Sequence, residues 1–203
     1  MSAAPNPRDT DRPVLTLPAA EAEAVRVAYA GAGSILEYGS GGSTVMAAEM
    51  PGKTVRAVES DRRWAQKMRR WFDDHGAADG TQLAIDWVDI GPTKAWGNPR
   101  DDSAWRLWPR YALQVWRNPD LVAPDVVFID GRFRIGCALA TAFSTQKPVT
   151  VLFDDYGDRA RYAKVEDFIG RPQMVGRLAV FEVEPTPIPP EKLLNIVQFM
   201  LRP

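Results

Sequence analysis

A chain of 203 residues is long enough to bury one substantial core and too short for two full domains. Its 25 Lys and Arg nearly cancel its 26 Asp and Glu, leaving a formal charge of -1, so no global field draws in a polyanion and nucleic acid is not an expected partner. A lone cysteine, Cys137, excludes an internal disulfide and reads as a small buried apolar residue, and no apolar run approaches the ~20 residues that cross a bilayer, so a soluble cytoplasmic protein is expected.

Met1 to Arg12 is rich in Pro, Asp and Arg and lacks the apolar core of a secretory signal, so 1–12 is expected to be a disordered lead-in and 13–203 one domain. Pro18 suits a first helical position, and Pro18 to Tyr29 carries helix formers until Gly31 and Gly33 stop it. Ser34 to Tyr38 is a short apolar strand. The loop Gly39-Ser40-Gly41-Gly42 follows, and Ser43 or Thr44 is placed to cap a helix that ends at Pro51-Gly52.

Thr54 to Val58 alternates β-branched residues and closes on Glu59, and Arg62 to His75 carries Trp64, Met68, Trp71 and Phe72 on one helical stripe. Leu83 to Val88 is a third strand ending at Asp89, before a Pro- and Gly-containing loop from Ile90 to Asp102. Trp105 to Arg117 has helical character. Asp125 to Ile129 is an apolar strand that finishes at Asp130-Gly131, and a helix over Phe133 to Phe143 leads to the strand Val149 to Phe153, which finishes at Asp154-Asp155. Tyr162 to Ile169 reads as a helix, Leu178 to Val183 as a strand, and Leu193 to Met200 as an apolar segment of either type.

Repeated strand-then-helix units predict an α/β fold: a Rossmann-like, doubly wound, mainly parallel seven-stranded sheet with helices on both faces. The last two strands, joined without a helix, are expected to form an antiparallel edge. Ligands bind such sheets outside the carboxyl ends of the strands, where strand order reverses. Here nearly every strand finishes in an acid or glycine: Glu37 to Gly42, Glu59, Asp89, Asp130 and Asp154-Asp155. Strand ends favour Asp and Gly for conformational reasons alone, but that account serves single positions better than five together.

As a dinucleotide fingerprint the loop is Gly-x-Gly-x-x-Thr, without the third glycine that packs helix against strand. Glu37, two residues before the loop, would add negative charge beside a pyrophosphate and instead suits a cationic ligand.

These residues resemble the class I S-adenosylmethionine-dependent methyltransferases over about Ile35 to Phe168. Glu37, Gly39 and Gly41 match that family's first motif, an acid, any residue, Gly, any residue, Gly, and Val58-Glu59-Ser60-Asp61 resembles its second. The resemblance implies that the loop, with Ser40, Gly42, Ser43 and Thr44, cradles the amino-acid part of S-adenosylmethionine. It further implies that Glu59 takes the ribose hydroxyls and that Asp89 lies near the adenine, although Asp86 is on the same strand.

Val126-Val127-Phe128-Ile129-Asp130 matches the fourth motif, which places Asp130 beside the cofactor. Asp154-Asp155-Tyr156-Gly157 looks like the Asp-Asp-Tyr-Gly of macrocin-type sugar O-methyltransferases. The metal-dependent members imply a divalent cation, Mg2+, held by Asp130, Asp154 and Asp155. Three carboxylates together would repel unless a hard cation neutralised them. Asp130 is also the first choice for catalysis, because the following Gly131-Arg132-Phe133-Arg134 departs from the family and a guanidinium does not release its proton.

Trp96, Trp105, Trp108, Tyr111 and Trp116 crowd the segment between strands three and four, mostly as core, with Trp96 in its Gly/Pro-containing loop expected to reach a ligand. Arg132, Arg134, Tyr156 and Arg159 follow strands four and five. Arg132 and Tyr156 are candidate substrate contacts, and the arginines are suited either to a substrate anion or to the nearby acids. His75, between the second helix and third strand, belongs to the opposite edge. The expected function is therefore O-methylation of a small hydroxylated molecule. A non-catalytic S-adenosylmethionine-binding module and a nicotinamide-dependent oxidoreductase stay open beside it, and nothing in the sequence sets an oligomeric state.

Overall fold

In the computed structural model, which describes residues 12–203, the elements follow in the order α1 (Ala19–Gly31), β1 (Ser34–Tyr38), α2 (Gly42–Ala48), β2 (Thr54–Glu59), α3 (Arg62–His75) and β3 (Gln82–Trp87). After them come α4 (Pro109–Leu113), β4 (Val126–Ile129), α5 (Arg134–Ser144), β5 (Val149–Phe153), α6 (Glu166–Ile169), β6 (Gln173–Val175), β7 (Leu178–Val183) and α7 (Leu193–Met200). The expected lead-in lies outside the described residues except for Arg12, which pairs with Glu49 at 2.8 Å. Among the described residues no helix is long and apolar enough to cross a membrane.

The sheet has the order β3-β2-β1-β4-β5-β7-β6, parallel through β5 and antiparallel in its last two pairings. Strand β1 is buried along its whole length because both faces are covered. Leu36 and Tyr38 belong to the core shared with α4, α5 and α7, and Ile35 packs with Val25 and Tyr29 of α1 on the other face. Burying both faces is what makes a strand read as continuous apolar sequence.

The order reverses at β1, which has β2 on one side and β4 on the other. In that register Tyr38 stands opposite both Val58 and Ile129. The carboxyl ends of three strands are thereby level, and Gly39, Glu59 and Asp130 meet at one crevice.

The seven-stranded prediction holds in number, but the membership of its antiparallel edge differs. Leu193–Met200 is helix α7, with Ile196, Phe199 and Met200 buried at helical spacing. The seventh strand is instead β6, three mostly exposed residues turned back onto β7 through Gly176 at φ 57°. So short and exposed an edge carries no periodic signal. The expected helix Trp105 to Arg117 is α4 flanked by 3-10 turns at Trp105–Leu107 and Gln114–Arg117, and the expected helix from Tyr162 begins as a 3-10 turn.

Helix α3 matches its sequence signals. The Asp61 side chain accepts from the Arg63 and Trp64 amides, and Gly76 ends the helix at φ 74°. His75 stacks on Trp71 at that far end, with Nδ1 2.8 Å from the Trp71 carbonyl, away from the crevice.

Candidate functional site

The floor of the crevice depends on two glycines. Gly39 has φ 107°, and a Cβ there would lie 3.0 Å from the amide nitrogen of Gly131. A Cβ on Gly131 would come within 2.8 Å of the Tyr38 carbonyl and 2.9 Å of the Gly39 nitrogen, besides striking the Tyr111 hydroxyl. With neither side chain present, the Tyr38 carbonyl accepts from both Asp130 N at 3.0 Å and Gly131 N at 2.6 Å, which fixes the Asp130 turn to the glycine loop. On the other side of the loop, a Cβ on Gly42 would fall on the backbone of Leu15. The segment Pro13–Thr16 thus lies across the loop as a strap.

Glu37 stands behind the loop and does not line the crevice. It is fully buried, accepting from the Tyr29 hydroxyl at 2.7 Å and the Thr44 hydroxyl at 2.5 Å, while Thr44 Oγ1 accepts from Gly41 N at 2.9 Å. Burial pushes its pKa up, and the hydroxyls oppose that rise. The expectation of direct ligand contact by Glu37 and Thr44 is therefore corrected: they form a chain of hydrogen bonds that sets the shape of the loop. Helix α2 is capped accordingly, since Thr44 reaches back to Gly41 where Ser43 or Thr44 was expected to be the cap itself.

Above this floor is a cavity of about 410 Å3, within the size range of small-molecule sites. Gly39, Ser40, Gly41, Gly42, Ser43, Glu59, Trp96, Asp130 and Arg132, all candidate site residues, line it. Glu59 Oε1 accepts from the Ser60 and Asp61 amides at 2.7 and 2.9 Å, and Oε2 from Ser40 Oγ at 2.9 Å. Burial raises its pKa against those bonds. Trp64 Nε1 donates to the Ser40 carbonyl at 2.8 Å, tying α3 to the loop.

Residues not anticipated also line the cavity: Pro13 to Thr16, Ser60, Asp61, Trp64, Gly97, Tyr111 and Gly131. Ser60, Asp61 and Gly131 directly follow predicted strand-end acids, a signal that could have found them. Nothing local marks the strap.

Asp89 and Tyr156 are not brought in. Asp89 is exposed and accepts from Gly91 N at 2.9 Å, closing a turn, while Asp86 pairs with Arg56 at 2.7 Å. Tyr156 is buried among Phe153, Tyr162 and Phe181, and its hydroxyl donates to Glu166 at 2.7 Å. Burial and that carboxylate hold the phenol above its usual pKa. Its expected contact with substrate is corrected to a packing role.

The acids at 130, 154 and 155 are occupied by arginines. Arg134, 4 % exposed, donates to the carbonyls of Gly131, Asp130 and Asp154 and lies 3.0 Å from Asp130 Oδ1 and 3.1 Å from Asp155 Oδ2. Arg177 grips Asp154 with two bonds of 3.0 and 3.1 Å, and Arg159 reaches Asp155 at 3.0 Å. Among the described residues no three His, Cys, Asp or Glu side chains are grouped to hold a metal.

The mutual repulsion that suggested Mg2+ is thus offset by guanidinium groups, whose planar donors match carboxylates in pairs. The donor set does not fit the expected ion. Of the three acids only Asp130 opens into the cavity, with 41 % of its side chain exposed. Withdrawal from bulk water raises its pKa, Arg134 lowers it, and Asp154 and Asp155 raise it again, leaving it pushed up to about 7.

No family profile and no curated protein matches the chain. Among solved structures, it is similar to a methyltransferase-like protein from Silicibacter pomeroyi DSS-3, with 57% identity over 95% of this chain and 100% of that one and a TM-score of 0.93. The O-methyltransferase TomG from Streptomyces achromogenes, in complex with S-adenosylmethionine, shares the fold at 17% identity over 87% of this chain and 85% of that one, with a TM-score of 0.53. An O-methyltransferase from Bacillus cereus, in complex with S-adenosylhomocysteine, does so at 17% identity over 86% of each chain, with a TM-score of 0.52. Near-complete coverage at 57% identity shows that this chain belongs to the family of that methyltransferase-like protein, and its sheet, whose order reverses at the glycine loop, has the Rossmann-like methyltransferase fold.

Proposed function

We propose that this chain is a cytoplasmic O-methyltransferase that binds S-adenosylmethionine in the glycine-loop cavity and methylates a hydroxyl of a small molecule. The observation that carries the reading is the placement of Glu59 and Asp130 on one cavity, with the glycine loop between them. The names of the two O-methyltransferases that share the fold support the same acceptor chemistry.

In this reading Gly39 to Ser43 hold the amino-acid part of the cofactor and Glu59 takes the ribose hydroxyls, exchanging its bond to Ser40. The bound cofactor supplies a methyl carbon made electrophilic by its sulfonium. Asp130 faces the acceptor and takes the hydroxyl proton on a carboxylate oxygen as that hydroxyl's oxygen gains the methyl group. When bound, the cofactor would keep the electron pair of its C–S bond on sulfur as the methyl group is given up. A base with a pKa near the working pH is well matched to this transfer. Arg134 holds the Asp130 carboxylate in place and keeps it from full protonation. No step is assigned to Mg2+, because the acids that would hold it are paired with arginines.

Calorimetric titration with S-adenosylhomocysteine tests the binding clause: heat is expected on the wild type, and none would overturn the reading. Release of S-adenosylhomocysteine from S-adenosylmethionine across a panel of small phenols and sugars tests the reaction. Binding without turnover on any hydroxylated acceptor would favour the non-catalytic module.

A further inference from the structure

Arg132 differs from the three arginines that hold the acids ending β4 and β5. Arg134, Arg159 and Arg177 each lie within 3.1 Å of at least one carboxylate. Arg132 is paired with none among the described residues. Among the described residues its Nε is buried without a hydrogen-bond partner, and its Nη1 donates to the neutral Asn98 Oδ1 at 3.1 Å. A partly buried guanidinium without an anion is costly to hold, and three neighbouring arginines have all been given acids.

The place of Arg132 gives its unpaired charge a direction. It lines the cavity two residues beyond Asp130, and Asn98 holds it against the loop that carries Trp96 and Gly97. Trp96 is 84% exposed at φ 63°, so the same rim presents an aromatic face. We infer that Arg132 is the receptor for an anionic group, a carboxylate or phosphate, on the methyl acceptor, whose hydroxyl then lies at Asp130. The substrate class is a small hydroxylated acid or phosphate ester. This deepens the proposed function and rests on its cofactor clause. The cofactor's own α-carboxylate offers the same chemistry to a guanidinium, and the experiment separates the two sources.

The test uses calorimetry on the full chain. First, S-adenosylhomocysteine and 5'-methylthioadenosine, which lacks the amino-acid carboxylate, are titrated into wild type, Arg132→Gln and Arg132→Lys. Both nucleosides are expected to bind all three proteins equally. Loss of S-adenosylhomocysteine affinity in Arg132→Gln, with 5'-methylthioadenosine unchanged, would assign Arg132 to the cofactor and overturn the inference.

Second, protein saturated with S-adenosylhomocysteine is titrated with matched pairs, 4-hydroxybenzoate against phenol and glycerol 3-phosphate against glycerol. At least one anion is expected to bind about tenfold or more tighter than its neutral partner, as suits a charge-assisted hydrogen bond. That preference is expected to vanish in Arg132→Gln and to return in part in Arg132→Lys. No preference in the wild type, or one that survives Arg132→Gln, would sink the proposal. Failure of the wild type to bind S-adenosylhomocysteine at all would sink it too, through the cofactor reading and visibly so. Thermal unfolding of both variants shows that any loss comes from folded protein.

Discussion

The Arg134 guanidinium and the Asp130 carboxylate, one helical turn apart in sequence, meet at 3.0 Å, with the arginine 4 % exposed and the acid open to the cavity. One member of the pair is structural and the other is free to meet a ligand. Because Arg134 also reaches Asp155 and the carbonyls of Gly131, Asp130 and Asp154, it joins the ends of β4 and β5.

Arg134→Met is expected to leave Asp130 and Asp155 without that partner and to destabilise the fold by about 3–5 kcal/mol, the usual cost of breaking a buried ion pair from one side. Urea unfolding at neutral pH measures it. A loss below about 1 kcal/mol would show that Arg177 and Arg159 suffice. In the same account, chelation with EDTA leaves S-adenosylhomocysteine binding and turnover unchanged, and a loss that magnesium restores would contradict the arginine pairing.

Turnover should rise with pH through about 7, because Asp130 acts as its carboxylate and its pKa is pushed up to about 7. Asp130→Asn should remove that limb together with most of the rate while keeping S-adenosylhomocysteine affinity. The stability effect has the opposite sign. A raised pKa means the folded state holds the proton more tightly than the unfolded state, so ionisation costs stability as pH climbs from the ordinary carboxylate range to about 7. Asp130→Asn should therefore match or exceed wild type in Tm at pH 8, with the gap closing towards pH 4. A lower Tm for the variant at pH 8 would refute the raised pKa.

Glu37→Ala should cost about 1–3 kcal/mol for each buried hydroxyl it strands, those of Tyr29 and Thr44. Since Thr44 also holds Gly41 N, the loop should loosen and S-adenosylhomocysteine affinity fall with stability. Denaturant unfolding and calorimetry on one preparation check both. Weakened binding with unchanged stability would return Glu37 to the role of a direct ligand contact.

Gly42→Ala places a methyl group on the backbone of Leu15. The strap at the chain's amino-terminal end is expected to move away, so S-adenosylhomocysteine binding should weaken while the melting temperature changes little. Unaltered affinity would show that Pro13–Thr16 is dispensable to the site.

Local sequence revealed most of what the sheet required. Strands β1, β4 and β5 are apolar because they are covered on both faces, and the ends of α3 are written in Asp61 and Gly76. Gly39, Glu59 and Asp130 could be placed on one crevice because parallel βαβ units put every strand's carboxyl end on the same edge. The edge hairpin is not legible in the sequence because β6 has three residues and no apolar alternation. Leu193–Met200 is ambiguous in sequence because eight mainly apolar residues fit a strand or a helix until α5 offers one face to pack against.

The glycine loop and the acids after it were thus determined by the sequence as a set of residue types at one edge of a sheet. Which of them line the cavity is decided only by tertiary contacts. Glu37 is withdrawn because Tyr29, eight residues earlier on α1, supplies a buried hydroxyl to it. Asp154 is withdrawn because Arg177, from the turn between β6 and β7, reaches back across 23 residues to take both its oxygens. Arg132 is left unpaired in the cavity among arginines of identical chemistry. Sequence specifies a charge, but its neutralisation depends on which distant side chain arrives within about 3 Å, a property of the packed fold.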